Sequence, residues 1–74
     1  MNDTSLTGTI ENWLVANSRI HGNIYHDSKK RFHNGAFIHT SKILAPKEED
    51  LKAGAVVSTL TSVYRLGAPA LYTY

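Results

Sequence analysis

The groups able to do chemistry in this sequence are concentrated between Arg19 and Lys42. All four histidines, His21, His26, His33 and His39, fall there, together with Arg19, Lys29, Lys30, Arg31 and Lys42 against a single acid, Asp27. The acids Glu48, Glu49 and Asp50 follow as a separate cluster, so one part of the chain favours anions and another repels them. Imidazole suits zinc, copper or nickel. However, no two histidines stand at i, i+2 or i, i+4 spacing, and Asp27 is the one carboxylate near them in sequence. The spacing argues against a metal site, and neither a metal nor a cofactor is expected.

His39-Thr40-Ser41 puts a hydroxyl two residues from an imidazole. A hydroxyl nucleophile needs a base in reach and an oxyanion site. The extended backbone expected here is not a strained nucleophile turn, and no Gly-rich loop precedes it. The reading is therefore non-enzymatic, with a His-dependent phosphodiesterase using His39 as the minor alternative. As ligands for an anion the same groups are more credible. Arg19, His21, Arg31, His39, Thr40 and Ser41 can all donate to phosphate oxygens, and Tyr25 or Phe37 can stack a base beside them. The turn Lys29-Lys30-Arg31 reads either as a solvated loop or as a weak nucleic-acid contact, because the charge excess is small beside that of dedicated DNA-binding domains.

The elements that must position these groups are mainly β. Thr9 to Ala16 is rich in β-formers and reads as a strand, with a short helix as the competing reading. Trp13 and Val15 fall on one side of that strand, and Ile10, Leu14 and Ala16 on the other. Asn17-Ser18 is a turn. From Arg19 to His26 the pattern alternates, with Ile20, Gly22 and Ile24 on one face and His21, Asn23 and Tyr25 on the other. Asp27 to Lys30 reads as a turn in which Asp27 bonds the backbone ahead of it. Arg31 to His33 reads as a short strand, Asn34-Gly35 as a hairpin turn, and Ala36 to Leu44 as the return strand that Pro46 ends. Lys47 to Lys52 can form one helical turn, broken at Ala53-Gly54. Ala55 to Leu66 reads as one long paired strand, with a hydroxyl-rich middle at Ser58, Thr59, Thr61 and Ser62, and Gly67-Ala68-Pro69 ends it.

The expected fold class is thus mainly β: a small antiparallel meander or barrel of four to five strands with one short helical turn. The division is a flexible N-terminal arm over 1–8, a single β domain over 9–69, and an apolar C-terminal tail over 70–74 able to serve as a subunit contact. Seventy-four residues without cysteine exclude disulfides, a thiolate zinc site and a cysteine nucleophile. A domain of this size is marginal as a monomer, and sheet edges must be paired or covered, so a homo-oligomer is expected. Hydrophobic content of 42% argues against wholesale disorder. The start Met1-Asn2-Asp3-Thr4-Ser5 shows no secretory leader, and no apolar run approaches a membrane span. The expectation is a cytoplasmic protein without membrane contact.

The stretches His21-Gly22-Asn23-Ile24-Tyr25, Arg31-Phe32, Asn34-Gly35, Ile38 to Ile43, Val57, Thr59-Leu60, Ser62-Val63-Tyr64 and Leu66-Gly67 resemble a type of small accessory protein encoded by tailed bacteriophages. The resemblance spans residues 10–69 and brings no assigned activity. It implies a setting in the host cytoplasm, where such proteins act as stoichiometric binders of host machinery or host defence, some of them as sponges for cyclic nucleotide signals. The resulting expectation is an anti-defence protein that sequesters an anionic, nucleotide-like ligand at a subunit interface. The alternatives are an inhibitor that binds a host or defence enzyme and a weak nucleic-acid binder.

Overall fold

The computed structural model describes residues 6–71. It holds six strands: β1 (Gly8–Ala16), β2 (Arg19–Tyr25), β3 (Ala36–His39), β4 (Ile43–Ala45), β5 (Val56–Thr59) and β6 (Val63–Leu66). A 3-10 turn, Glu48–Asp50, lies between β4 and β5, where one helical turn is expected. The mainly β reading holds, but four to five strands understates the number, and the sheet is not wholly antiparallel. Its order is β3-β2-β1-β6-β5-β4. Two antiparallel triplets, β1-β2-β3 and β4-β5-β6, are joined along one parallel seam in which Gly8, Thr9 and Ile10 of β1 face Tyr64, Arg65 and Leu66 of β6. No helix among the described residues is long and apolar enough to cross a membrane.

The outermost strands, β3 and β4, are consecutive in the chain. Residues 40–42 link them, and a link of that length reaches at most about 14 Å. A flat six-stranded sheet would hold its edges roughly 24 Å apart. The sheet is therefore rolled. The roll is pinned where Ile43 N–H donates to Ser18 O at 2.8 Å, Leu60 N–H donates to Lys42 O at 3.1 Å, and the Ser41 and Thr61 hydroxyls meet at 3.1 Å. Inside it sit Ile10 and Trp13 from β1, Ile20 and Ile24 from β2, Ile38 from β3, Val57 from β5, and Tyr64 and Leu66 from β6.

Three local departures from the sequence pattern have identifiable causes. In β1, Ile10 and Trp13 are both buried, not on opposite sides. Asn12 adopts φ 54°, and the pairing slips between Glu11↔Asn23 and Leu14↔His21, so a bulge resets the alternation. Gly22 lies opposite the bulge. A Cβ there would stand 2.6 Å from Ile10 Cγ2 and 2.8 Å from Glu11 O, so the bulged strand comes this close only because residue 22 is glycine.

The second departure is that Arg31 to His33 is not a strand, and Asn34-Gly35 does not close a tight hairpin. Residues 26–35 form a wider excursion, because Asp27 draws the N–H groups of Lys29, Arg31 and Phe32 inward. Asn34 uses its side-chain oxygen to accept from His26 N–H. The tight hairpin of this triplet is Asn17-Ser18, with φ 53° and 60°, the two positive values that a right-twisted two-residue turn requires.

Third, the run Ala55 to Leu66 is two strands. Thr59 folds it back: its N–H donates to Ser62 O, its hydroxyl also donates to Ser62 O, and its Oγ1 accepts from Ser62 N–H. The hydroxyl-rich stretch is thus the end of β5, Ser58 and Thr59, and the turn that follows it, not one continuous central strand.

Two residues ahead of the expected 9–69 are built into the body at its start. Thr7 is buried, donates to Val63 O and accepts from Ser28 N–H, and β1 begins at Gly8. At the other end, Pro69 bridges to Trp13 and Ala70 N–H donates to Trp13 O. Leu71 is exposed. The rest of the expected arm and tail, 1–5 and 72–74, lies outside the described residues.

Candidate functional site

The candidate site is the outer face of the β2-β3 ribbon. Along β2 the inner residues Ile20, Gly22 and Ile24 are buried, and Arg19, His21, Asn23 and Tyr25 alternate to the outside. On β3, Phe37 and His39 face outward while Ile38 is buried. The register sets His21 opposite His39 and Asn23 opposite Phe37. The imidazole centroids are 5.8 Å apart, with the rings tilted by 38°. Phe37 is 66% exposed, so its ring is accessible for stacking. Asn23, which the sequence analysis did not single out as a ligand, sits among these groups. Its Nδ2 donates to Gly35 O and its Oδ1 accepts from Asn12 Nδ2. The alternation of β2 marks Asn23 as outward, but only the register shows that Phe37 stands beside it.

The fold does not gather every expected ligand on this face. Arg19 lies at its end, where Nη1 donates to Thr40 O at 2.9 Å. Thr40 is buried, and its hydroxyl is committed within the protein, accepting from Ile20 N–H and donating to Ser41 O. The Ser41 hydroxyl is paired with Thr61 and accepts from Thr61 N–H. Thr40 and Ser41 therefore fasten the β3-β4 corner. Arg31 is drawn away to Asp27 and to the Tyr64 hydroxyl, with its guanidinium 5.0 Å from the centre of the Phe32 ring. Of the basic turn, Lys29 is likewise tied down, donating from Nζ to Thr61 O and Ser62 Oγ. These assignments leave Arg19, His21, Tyr25, Phe37 and His39 as the expected residues that share the β2-β3 surface.

The strongest local electrostatic feature lies beside this face. The Asp27 carboxylate is fully buried. Burial alone pushes its pKa up, but hydrogen bonds from the Arg31 side chain and from the N–H groups of Arg31 and Lys29, aided by the Arg31 charge, prevail and hold it below the usual carboxylate range. The hydrogen bond to Tyr64 raises Arg31 further, against partial desolvation and with help from Asp27. This is the chemistry of a structural knot: both carboxylate oxygens of Asp27, and Nε and Nη2 of Arg31, are engaged from within.

The described residues enclose no pocket, and no three histidine, aspartate or glutamate side chains among them converge as metal ligands. The site is thus an open surface on a rolled, mixed β-sheet domain. Compared with family models, curated proteins and solved structures, the chain matches none.

Proposed function

We propose that this chain is a non-enzymatic binding protein whose outer β2-β3 face holds an anionic, nucleotide-like ligand. The observation that carries the reading is the juxtaposition of Arg19, His21 and His39 with the exposed ring of Phe37 on one face. Cationic and imidazole donors suit phosphate oxygens, and a free aromatic face suits a base. An open face captures a small ligand better when a second copy covers it, so the ligand lies at a subunit interface of a homo-oligomer. The resemblance to accessory proteins of tailed phages supports a role in an infected cell's cytoplasm, where withdrawing a nucleotide signal would blunt host defence.

The test is calorimetric titration with cyclic di- and oligonucleotides, with oligomeric state measured before and after. Expected are saturable binding by at least one member of the panel and its loss in Phe37→Ala, which removes an exposed ring without disturbing the core. Heat-silent titrations across the whole panel overturn the reading.

A second reading, a stoichiometric inhibitor of a host or defence enzyme, is favoured by the outer edge of β3, which pairs only with β2 among the described strands, and by exposed Phe37, Leu44 and Leu60. Such edges accept an added strand. It predicts a one-to-one complex with a single partner on pull-down, disrupted by a proline in β3. The weak nucleic-acid alternative retains only Lys30 as a basic-turn cation without a side-chain hydrogen bond among the described residues.

A further inference from the structure

His21 and His39 stand in a relation that anion binding does not require. They are direct cross-strand partners. Thr40 N–H donates to Ile20 O at the preceding position, so the antiparallel alternation makes His21-His39 a non-hydrogen-bonded pair, where side chains stand closest. Two imidazoles sharing one cation at about 2.0–2.1 Å per nitrogen have ring centroids roughly 5 Å apart. The observed 5.8 Å is within small side-chain rotations of that arrangement.

The His21 ring is also oriented. Its Nε2 lies 3.3 Å from Ala16 O. A carbonyl only accepts, so this contact is a hydrogen bond in the tautomer with the proton on Nε2, which leaves the lone pair on Nδ1 for a ligand. Donation of the non-ligating ring N–H to a backbone carbonyl is the outer-sphere arrangement that fixes tautomer and ring direction in histidine metal sites. His39 is exposed at the edge of the sheet and accessible to solvent.

We propose that His21 and His39 form a bidentate site for a divalent transition ion of the nickel, copper or zinc class. Imidazole suits these ions, whereas magnesium and calcium favour oxygen. With no third protein ligand converging among the described residues, the remaining positions on the ion are open to water, to an anion's oxygen or to the same pair on a second copy. The site does not depend on the nucleotide reading, and it is tested with the ion alone.

The experiment is titration of the whole chain with nickel chloride in a non-coordinating buffer without nucleotide, followed by calorimetry and by the histidine ring signals in NMR. Expected is saturation at one ion per chain, or one per two chains, with His21 and His39 responding ahead of His26 and His33. Outer-sphere partners alone are worth roughly 10- to 100-fold in metal affinity, so loss of a ligand in His39→Ala should weaken binding at least about tenfold. His33→Ala should leave it unchanged, and magnesium should not compete. His39 is exposed, so its variant keeps the fold, which circular dichroism verifies. Equal nickel affinity in His39→Ala and the unaltered chain overturns the proposal, as does an equal response from all four histidines. Nickel binding with a silent nucleotide panel would sustain this inference and sink the anion reading; the reverse result would do the opposite.

Discussion

Replacing Asp27 by asparagine keeps the shape of the residue that organises the β2-β3 connection and removes its charge. One carboxylate oxygen accepts from the N–H groups of Arg31 and Phe32 and from Arg31 Nε, and the other from Lys29 N–H and Arg31 Nη2. An amide can serve only one of these two sets, because its NH₂ would face donors on the other side. Hydrogen bonds to a charged group contribute about 1.5–3 kcal/mol each. Several are lost together, but residues 28–34 are exposed, so the freed groups recover water. A net loss of about 2–4 kcal/mol follows, or a fall in Tm of roughly 8–32 °C for a domain of this size.

The pH dependence has a definite sign. The folded pKa of Asp27 lies below its unfolded value, so its contribution is fully present above the unfolded value of about 3.9 and disappears as pH falls through the folded one. The gap between the unaltered chain and Asp27→Asn is widest at neutral pH and closes on acidification. Trp13, the sole tryptophan and buried, reports urea unfolding across that range. An unchanged midpoint at neutral pH, or a gap that stays constant into strong acid, refutes the reasoning.

Two further perturbations probe the sheet. Gly22→Ala drives a methyl group into Ile10 and the Glu11 carbonyl, and should cost about 1–3 kcal/mol or more by overpacking; urea midpoints equal to the unaltered chain would show that the bulge yields freely. Thr59→Val keeps the volume and removes the hydroxyl that folds β5 back on β6, with an expected loss of about 1–3 kcal/mol for the stranded Ser62 N–H. Thr59→Ser should recover most of that loss, and a valine variant as stable as serine would contradict the role given to the hydroxyl.

The periodicity of Arg19 to Tyr25 was legible because a strand buried on one face writes its alternation directly into residue type. The same rule failed for β1. The Asn12 bulge inserts one residue into the count, and asparagine in the left-handed region leaves only a faint mark in sequence. The Thr59-Ser62 turn left none of the usual Gly, Pro, Asn or Asp signals, since side-chain hydroxyls do the folding. Asn34-Gly35 carried the strongest local hairpin signal in the chain, and it was overridden by a carboxylate seven residues earlier that satisfies three backbone donors at once. At the site, the shared face of His21, Asn23 and Tyr25 followed from alternation. The pairing of His21 with His39 required the β2-β3 register, which the wide 26–35 connection conceals. The commitments of Arg31 to Tyr64, Thr40 to Ile20 and Ser41 to Thr61 were invisible, because those partners lie on turns or strands distant in sequence.

The parallel seam between β1 and β6 makes closure of the core wait for the last strand in the order of the chain. Thr7 and Val63, separated by 56 positions, bond at the margin of that seam. Bringing such distant segments together costs about 3.5 kcal/mol in chain entropy beyond a constant, with no short route to offset it. A chain still emerging from the ribosome can form the Asn17-Ser18 hairpin, but its half of the core has nothing to close against until β6 is free. Topology of this kind folds in milliseconds to seconds rather than microseconds. The molecule therefore either assembles whole once Leu66 is available or exposes β1 as an unpaired edge.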